Sequence, residues 1–199
     1  MPPRTPLFDP AGYFETRSET LQQGLAVFVA YTLLEVVWLS VVIWQLFVPD
    51  NTLAMTLNLL VTSATLGGIT LLVVAAIMHF GSGGANASGS HTDAVAVAGW
   101  AYAPNIVVFV PTALYGWRQL QQLTYTTFTP EELTADIAAV PALSELAAVQ
   151  LITAFIAILW SIYLLTHGIS KTHSVLPKIT VVPAFFIGIG SFILLVFGP

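Results

Sequence analysis

Glu35 is the one acidic residue near the middle of a long apolar run, VAYTLLEVVWLSVV over residues 29–42. A charge at such a place costs a few kcal/mol or more in hydrocarbon, so the carboxyl must be protonated or paired and must face other helices. On a helix, Tyr31 and Trp38 lie about one turn to either side, and Asn58, Thr62 and Thr65 of the next apolar run are candidate hydrogen-bonding partners. Two chemistries fit: a proton or cation site, or a polar contact that fixes helix packing. The packing contact is preferred, because no second deep acid or base completes a relay; Glu145 lies nearer the end of its own run.

The second set is the histidines. His79 and His91 bracket HFGSGGANASGSH, with Asp93 close behind, and His167 and His173 lie near one another further along. Imidazole and carboxylate are transition-metal ligands. None of the four has the i, i+4 or His-x-His spacing of a compact site, so imidazoles hydrogen-bonded to backbone or headgroups are the preferred reading. No metal is assigned; His79, His91, His167 and His173 remain the candidates for one.

Catalytic and cofactor patterns are missing. There is no H-E-x-x-H, and Gly188-Ile189-Gly190 is followed by Ser191 rather than aspartate. No arginine follows Glu131-Glu132, and the pairs Ser82-Gly83 and Ser88-Gly89 lie in the glycine-rich stretch, outside any strand-to-helix elbow. That stretch lacks the lysine of a phosphate loop, and Asn86 stands where a dinucleotide fingerprint needs its third glycine. It reads as a flexible connection. No catalytic residue and no cofactor are expected, and the absence of cysteine removes disulfides and thiolate ligands.

These residues are carried by an unusually apolar chain. Of 199 residues 56% are hydrophobic and 8% charged, too few charges to clothe a soluble domain, in which roughly a quarter are charged. The net charge of −5 argues against a nucleic-acid partner. Five apolar runs are long enough to cross a bilayer as helices: 24–47, 56–79, 94–117, 142–166 and 179–197. The reading is an all-α, polytopic membrane protein, a bundle of five transmembrane helices with short interfacial helices. Its organisation is an amino-terminal segment, 1–23, with an interfacial helix, followed by a transmembrane domain, 24–199.

In FDPAGYFET, Asp9 is a plausible N-cap with Pro10 in the first turn, and Phe8, Tyr13 and Phe14 suit a helix lying at the interface. Thr129-Pro130-Glu131-Glu132 has capping-box spacing and predicts a surface helix to about Ala139. Pro104 and Pro111 each remove a donor inside the third run, freeing the carbonyls of Trp100 and Val107, and Asn105 is expected to help satisfy the first break. Gly67-Gly68 and Gly188/Gly190 permit close helix approach. With the amino terminus inside, Arg4, Arg17, Lys171 and Lys178 are cytoplasmic and only Arg118 is outside. The expected location is therefore the cell membrane, multi-pass, with the carboxyl terminus extracytoplasmic and the Asn86 sequon unmodified.

GWAYAPNIVVFVP resembles the Gly-Tyr-x-x-x-Pro segment that opens the third span in the Yip family, through Gly99, Trp100, Tyr102 and Pro104. DPAGYFET resembles the Pro-x-x-Phe-Phe start of prokaryotic or archaeal members, through Pro10, Tyr13 and Phe14. The resemblance implies an integral, non-enzymatic membrane protein, with eukaryotic relatives that act in vesicle traffic and interact with Rab-type GTPases. Those relatives carry a long cytosolic amino-terminal region and an Asp-Leu-Trp-Gly-Pro-type segment that this chain does not show, so GTPase binding is not carried over. The expected role is protein or lipid contact in membrane organisation or trafficking. The expected partners are the bilayer, proteins as yet unidentified, and further copies of the chain in a homo-oligomer. A small transporter or ion-permeation protein using Glu35 and the kinked third helix is the alternative, and metal handling by the histidines a third.

Overall fold

The computed structural model describes residues 5–16, 20–47, 52–121 and 141–197. In hydrocarbon each backbone amide must find its partner within its own segment, and the apolar runs close accordingly as helices. They are α1 (Pro10–Thr16), α2 (Thr20–Phe47), α3 (Thr52–Gly81), α4 (His91–Trp100), α5 (Ala103–Leu120), α6 (Pro141–Thr172) and α7 (Pro177–Phe197), with one 3-10 turn at Gly84–Asn86. Five stretches are long and apolar enough to span a membrane: Leu21–Trp44, Thr52–Gly81, His91–Leu120, Ser144–Thr172 and Pro177–Phe197. The chain is thus an all-helical, multi-pass membrane protein. The surface helix predicted from Thr129 lies outside the described residues.

Local chemistry sets two helix starts. Asp9 accepts a hydrogen bond from the Gly12 amide at 2.9 Å, with Pro10 opening α1 as expected. At α4, Ser90 and Asp93 form a reciprocal capping box: the Asp93 amide donates to Ser90 Oγ, and the Ser90 amide to Asp93 Oδ2.

Burial is inverted relative to a soluble protein. On α2, Leu25, Val29, Leu33 and Val37 are exposed at four-residue steps, while Phe28, Thr32 and Val36 are buried. Thr32 donates to the Phe28 carbonyl at 3.0 Å and so leaves no orphaned hydroxyl.

The centre of the bundle is α4, which packs on α2, α3 and α6. Ala94, Ala96, Val97 and Ala98 are at most 1% exposed. Small side chains let neighbouring backbones approach, which is how helices associate where lipid and side chain are equally apolar. Backbones come into contact between α2 and α4. A Cβ on Gly99 would lie 2.4 Å from the Gly24 carbonyl oxygen, and one on Gly24 would lie 2.3 Å from that of Ala96.

Helix α1 is docked on α6. Phe8 is 75% exposed, but Tyr13 and Phe14 are 3% and 6% exposed and belong to the core. The indole of Trp160 donates to the Leu7 carbonyl at 2.7 Å, and its ring meets Phe8. These two aromatic rings are buried against Trp100 and Gly168.

The predicted third span is two helices joined at Ala101–Tyr102. Pro104 has no amide for the Trp100 carbonyl, and α4 ends there. Asn105 does not bridge the gap as expected; its own amide turns back to the Tyr102 carbonyl at 3.1 Å. That turn leaves the Ala101 carbonyl without its i+4 donor, and Ser161 Oγ of α6 donates to it at 2.6 Å. Pro111 is carried inside α5 without interrupting it. Ser161→Ala should lower stability by about 1 kcal/mol, as interhelical hydrogen bonds in membranes do, read as an earlier midpoint in detergent-denaturation circular dichroism; an unchanged midpoint would show that the break needs no such donor.

Candidate functional site

Two polar constellations stand out in the bundle, one deep and one at the end that carries α1.

The deep one surrounds Glu35. Two cavities of about 290 and 280 Å³ share Tyr31 and Glu35 as lining residues. The first also takes Trp38, Asn105, Thr112, Gln150 and Thr153; the second takes Phe28, Thr32, Ser63, Thr70 and Tyr102. A third, of about 210 Å³, shares Asn105 with the first and Tyr102 and Thr70 with the second. The position of Tyr102 at the α4–α5 break sets its ring 5.4 Å from Tyr31 and 5.2 Å from Phe28. Among the described residues, no hydrogen bond or ion pair reaches the half-buried Glu35 carboxylate.

Asn58 is not part of this cleft. It is exposed on α3 and accepts from Thr62 at 3.3 Å, within its own helix, and Thr65 is exposed as well. The polar neighbours of Glu35 come instead from α3 at Ser63 and Thr70 and from the α4–α5 junction.

Glu145 sits toward the far end of the bundle. There Tyr115 donates to its carboxylate at 3.1 Å and Gln119 at 3.3 Å, and Gln119 also donates to Tyr115 Oη at 2.8 Å. This ties α5 to α6.

The second constellation joins three of the four candidate histidines. His79 Nδ1 and His173 Nε2 lie 2.9 Å apart, a hydrogen bond in which one imidazole donates and the other accepts. The His91 ring stands 5.8 Å from that of His79, edge to face. His173 is 1% exposed, with Gly89 so close that a Cβ there would fall 2.4 Å from its Nδ1. Burial holds the His173 imidazole below its usual pKa, His79 pushes it further down, and Asp93 pulls it partly back. His167 makes its ring contact elsewhere, at 4.7 Å from Tyr163.

Among the described residues, no group of three or more His, Asp or Glu side chains is placed to hold a metal ion. The glycine-rich stretch read as a flexible connection folds here into a defined turn. Gly83 and Gly84 take φ of 110° and 52°, and Gly89 seats His173.

Residues 10–14 and 99–104 meet in one joint. Pro10, Tyr13, Phe14, Gly99 and Pro104 are buried, and Tyr13 stands edge-on to Trp100 at 5.5 Å while its hydroxyl bonds Gln23. Tyr102 belongs to both the joint and the cleft. Ser161, Gly24 and Gln23 were not singled out in the sequence. A serine in an apolar run one helix away carries no local sign that it repairs a break at residue 101.

The Yip1 domain model matches residues 5–197. No curated protein and no solved structure matches the chain.

Proposed function

The chain belongs to the Yip1 domain family, and from that membership we propose that it acts without catalysis, through protein or lipid contacts, in membrane organisation or trafficking. One observation carries this reading. Of the residues by which the chain is recognisable, Tyr13, Phe14, Gly99 and Trp100 pack α1, α2, α4 and α6 against one another, and Tyr102 joins that cluster while also lining the Glu35 cleft. The apolar faces of α2, α3, α6 and α7 are exposed and are offered to lipid, to a second copy or to another membrane protein. Affinity purification of the tagged chain in mild detergent, with quantitative mass spectrometry, should recover the same membrane partner in near-stoichiometric amount. A chain that comes down alone, yet carries solute flux in proteoliposomes, would overturn the reading.

In the proposed orientation α1, the 82–90 turn and the α6–α7 turn face the cytoplasm. The sequence has no cysteine, so single cysteines report topology directly. On intact cells an impermeant maleimide should label Gln121→Cys, and label Ser88→Cys and Leu176→Cys only after permeabilisation. The opposite pattern would invert the orientation.

The second reading, a small transporter or permeation unit, is favoured by the Glu35 cavities and the α4–α5 break. Flux in proteoliposomes that is lost in Glu35→Gln would select it; a folded, flux-less protein would leave the contact role.

A further inference from the structure

We propose that the cleft around Glu35 is a binding site for a small organic ammonium ion. A carboxylate near the midpoint of the Leu21–Trp44 span must have its charge answered by a side chain, a proton or a bound cation. Among the described residues the lysines and arginines are Arg118, Lys171 and Lys178, and none of them lines the cleft. No described side chain supplies the counter-charge, which leaves a proton or a bound cation to answer it.

The walls select among external cations. Tyr31, one turn before Glu35, lines both cavities; Trp38, one turn after it, lines the first, and Phe28 and Tyr102 line the second, with the Tyr102 ring 5.4 Å from Tyr31 and 5.2 Å from Phe28. Aromatic faces attract cations through the ring quadrupole, and aromatic walls with one carboxylate are the surroundings in which ammonium groups are recognised. A hard metal ion asks instead for about six converging oxygens. Each of the two cavities, at about 290 and 280 Å³, is near the lower end of the volumes that hold small ligands, roughly 300 Å³ and upward. Proximity to the span's midpoint favours a free amphiphilic amine over a phospholipid headgroup, which would have to leave the interface to reach it.

The fold supplies the pre-organisation. The Ser161 bond to the Ala101 carbonyl fixes the residue before Tyr102, and so the ring that roofs the site. Bound cation and proton compete for one carboxylate, so the site is neutral overall with either.

The test uses the full chain purified in detergent and isothermal titration with benzyltrimethylammonium, a cation that has no proton to lose. Its neutral isostere neopentylbenzene is the control, and empty micelles give the blank. Saturable one-to-one binding of the cation is expected, at least tenfold tighter than any binding of the isostere. Glu35→Gln should weaken it tenfold or more, Glu35→Asp should keep it within a few-fold, and Tyr102→Leu should weaken it several-fold. Circular dichroism and a monodisperse elution profile certify each variant as folded. If Glu35→Gln does not fold, the cation-to-isostere ratio and Tyr102→Leu decide. No saturable binding to the folded chain, equal binding of the isostere, or an unchanged affinity in folded Glu35→Gln would overturn the proposal. If vesicles containing an amine-headgroup lipid displaced the cation while free small amines did not, a headgroup would be the occupant instead.

Discussion

Gly99→Ala should destabilise the bundle by about 3 kcal/mol or more, the upper end of what overpacking costs. The added methyl would lie 2.4 Å from the Gly24 carbonyl oxygen and 2.5 Å from its carbon. Both are backbone atoms, so no rotamer change relieves the clash; α2 and α4 must move apart. Separation there opens the contact on which Ala96 and Gly24 also depend, and α4 touches three other helices. Gly24→Ala should cost a comparable amount, and the double variant less than the sum, because one displacement accommodates both. The control is Gly68→Ala, where nothing lies within 4 Å of the new methyl. It should be neutral or stabilising, since alanine is the better helix former by up to about 1 kcal/mol. Unfolding in mixed micelles followed by circular dichroism measures all four; a Gly99→Ala midpoint equal to that of Gly68→Ala would show that the helices are not in backbone contact.

The second large effect is loss of stability in mild acid through His173. Its folded pKa is held below the ordinary imidazole value by burial and by His79, against a smaller pull from Asp93. When the chain unfolds that restraint vanishes. As pH falls through about 6.5, the unfolded chain takes up a proton that the folded chain refuses. Stability is therefore full above about pH 6.5, falls with a limiting slope of roughly 1.4 kcal/mol per pH unit for one proton, and levels off below the folded value.

The groups that bear on the pair are known: His91 beside His79, and Asp93, already engaged in capping α4. A proton on each of the paired imidazoles would also break the His79–His173 hydrogen bond, since neither ring could then accept. The thermal midpoint between pH 7.5 and 5 should fall in the wild type and flatten in His173→Gln. An equally steep fall in that variant would assign the acid sensitivity to the carboxylates instead.

How much of this was legible beforehand differs between elements. Asp9 and Pro10 announced α1 because a cap is a matter of four adjacent residues. The Ser90–Asp93 box is equally local, but the glycine run before it masks the helix start. Pro104 marked the break in the third span, since a missing amide is a property of one residue; which donor repairs it was not, because Ser161 lies on another helix. Of the glycines expected to sit at helix contacts, Gly67 meets Phe28 and Gly188 meets Ile162, while Gly68 and Gly190 have nothing within 4 Å. A glycine tells only that an approach is allowed.

Class and crossing number lie in the sequence by itself. Whether a stretch of about 20 residues prefers hydrocarbon is a sum over its own side chains, and five stretches pass that sum without reference to one another. The faces that meet were decided only by the tertiary structure. In a soluble helix a polar stripe marks the outside, but lipid is as apolar as a helix interior, and no such stripe is written. So the pairing of His79 with His173, the exclusion of Asn58 from the surroundings of Glu35 and the seat of Gly99 on Gly24 all followed from packing.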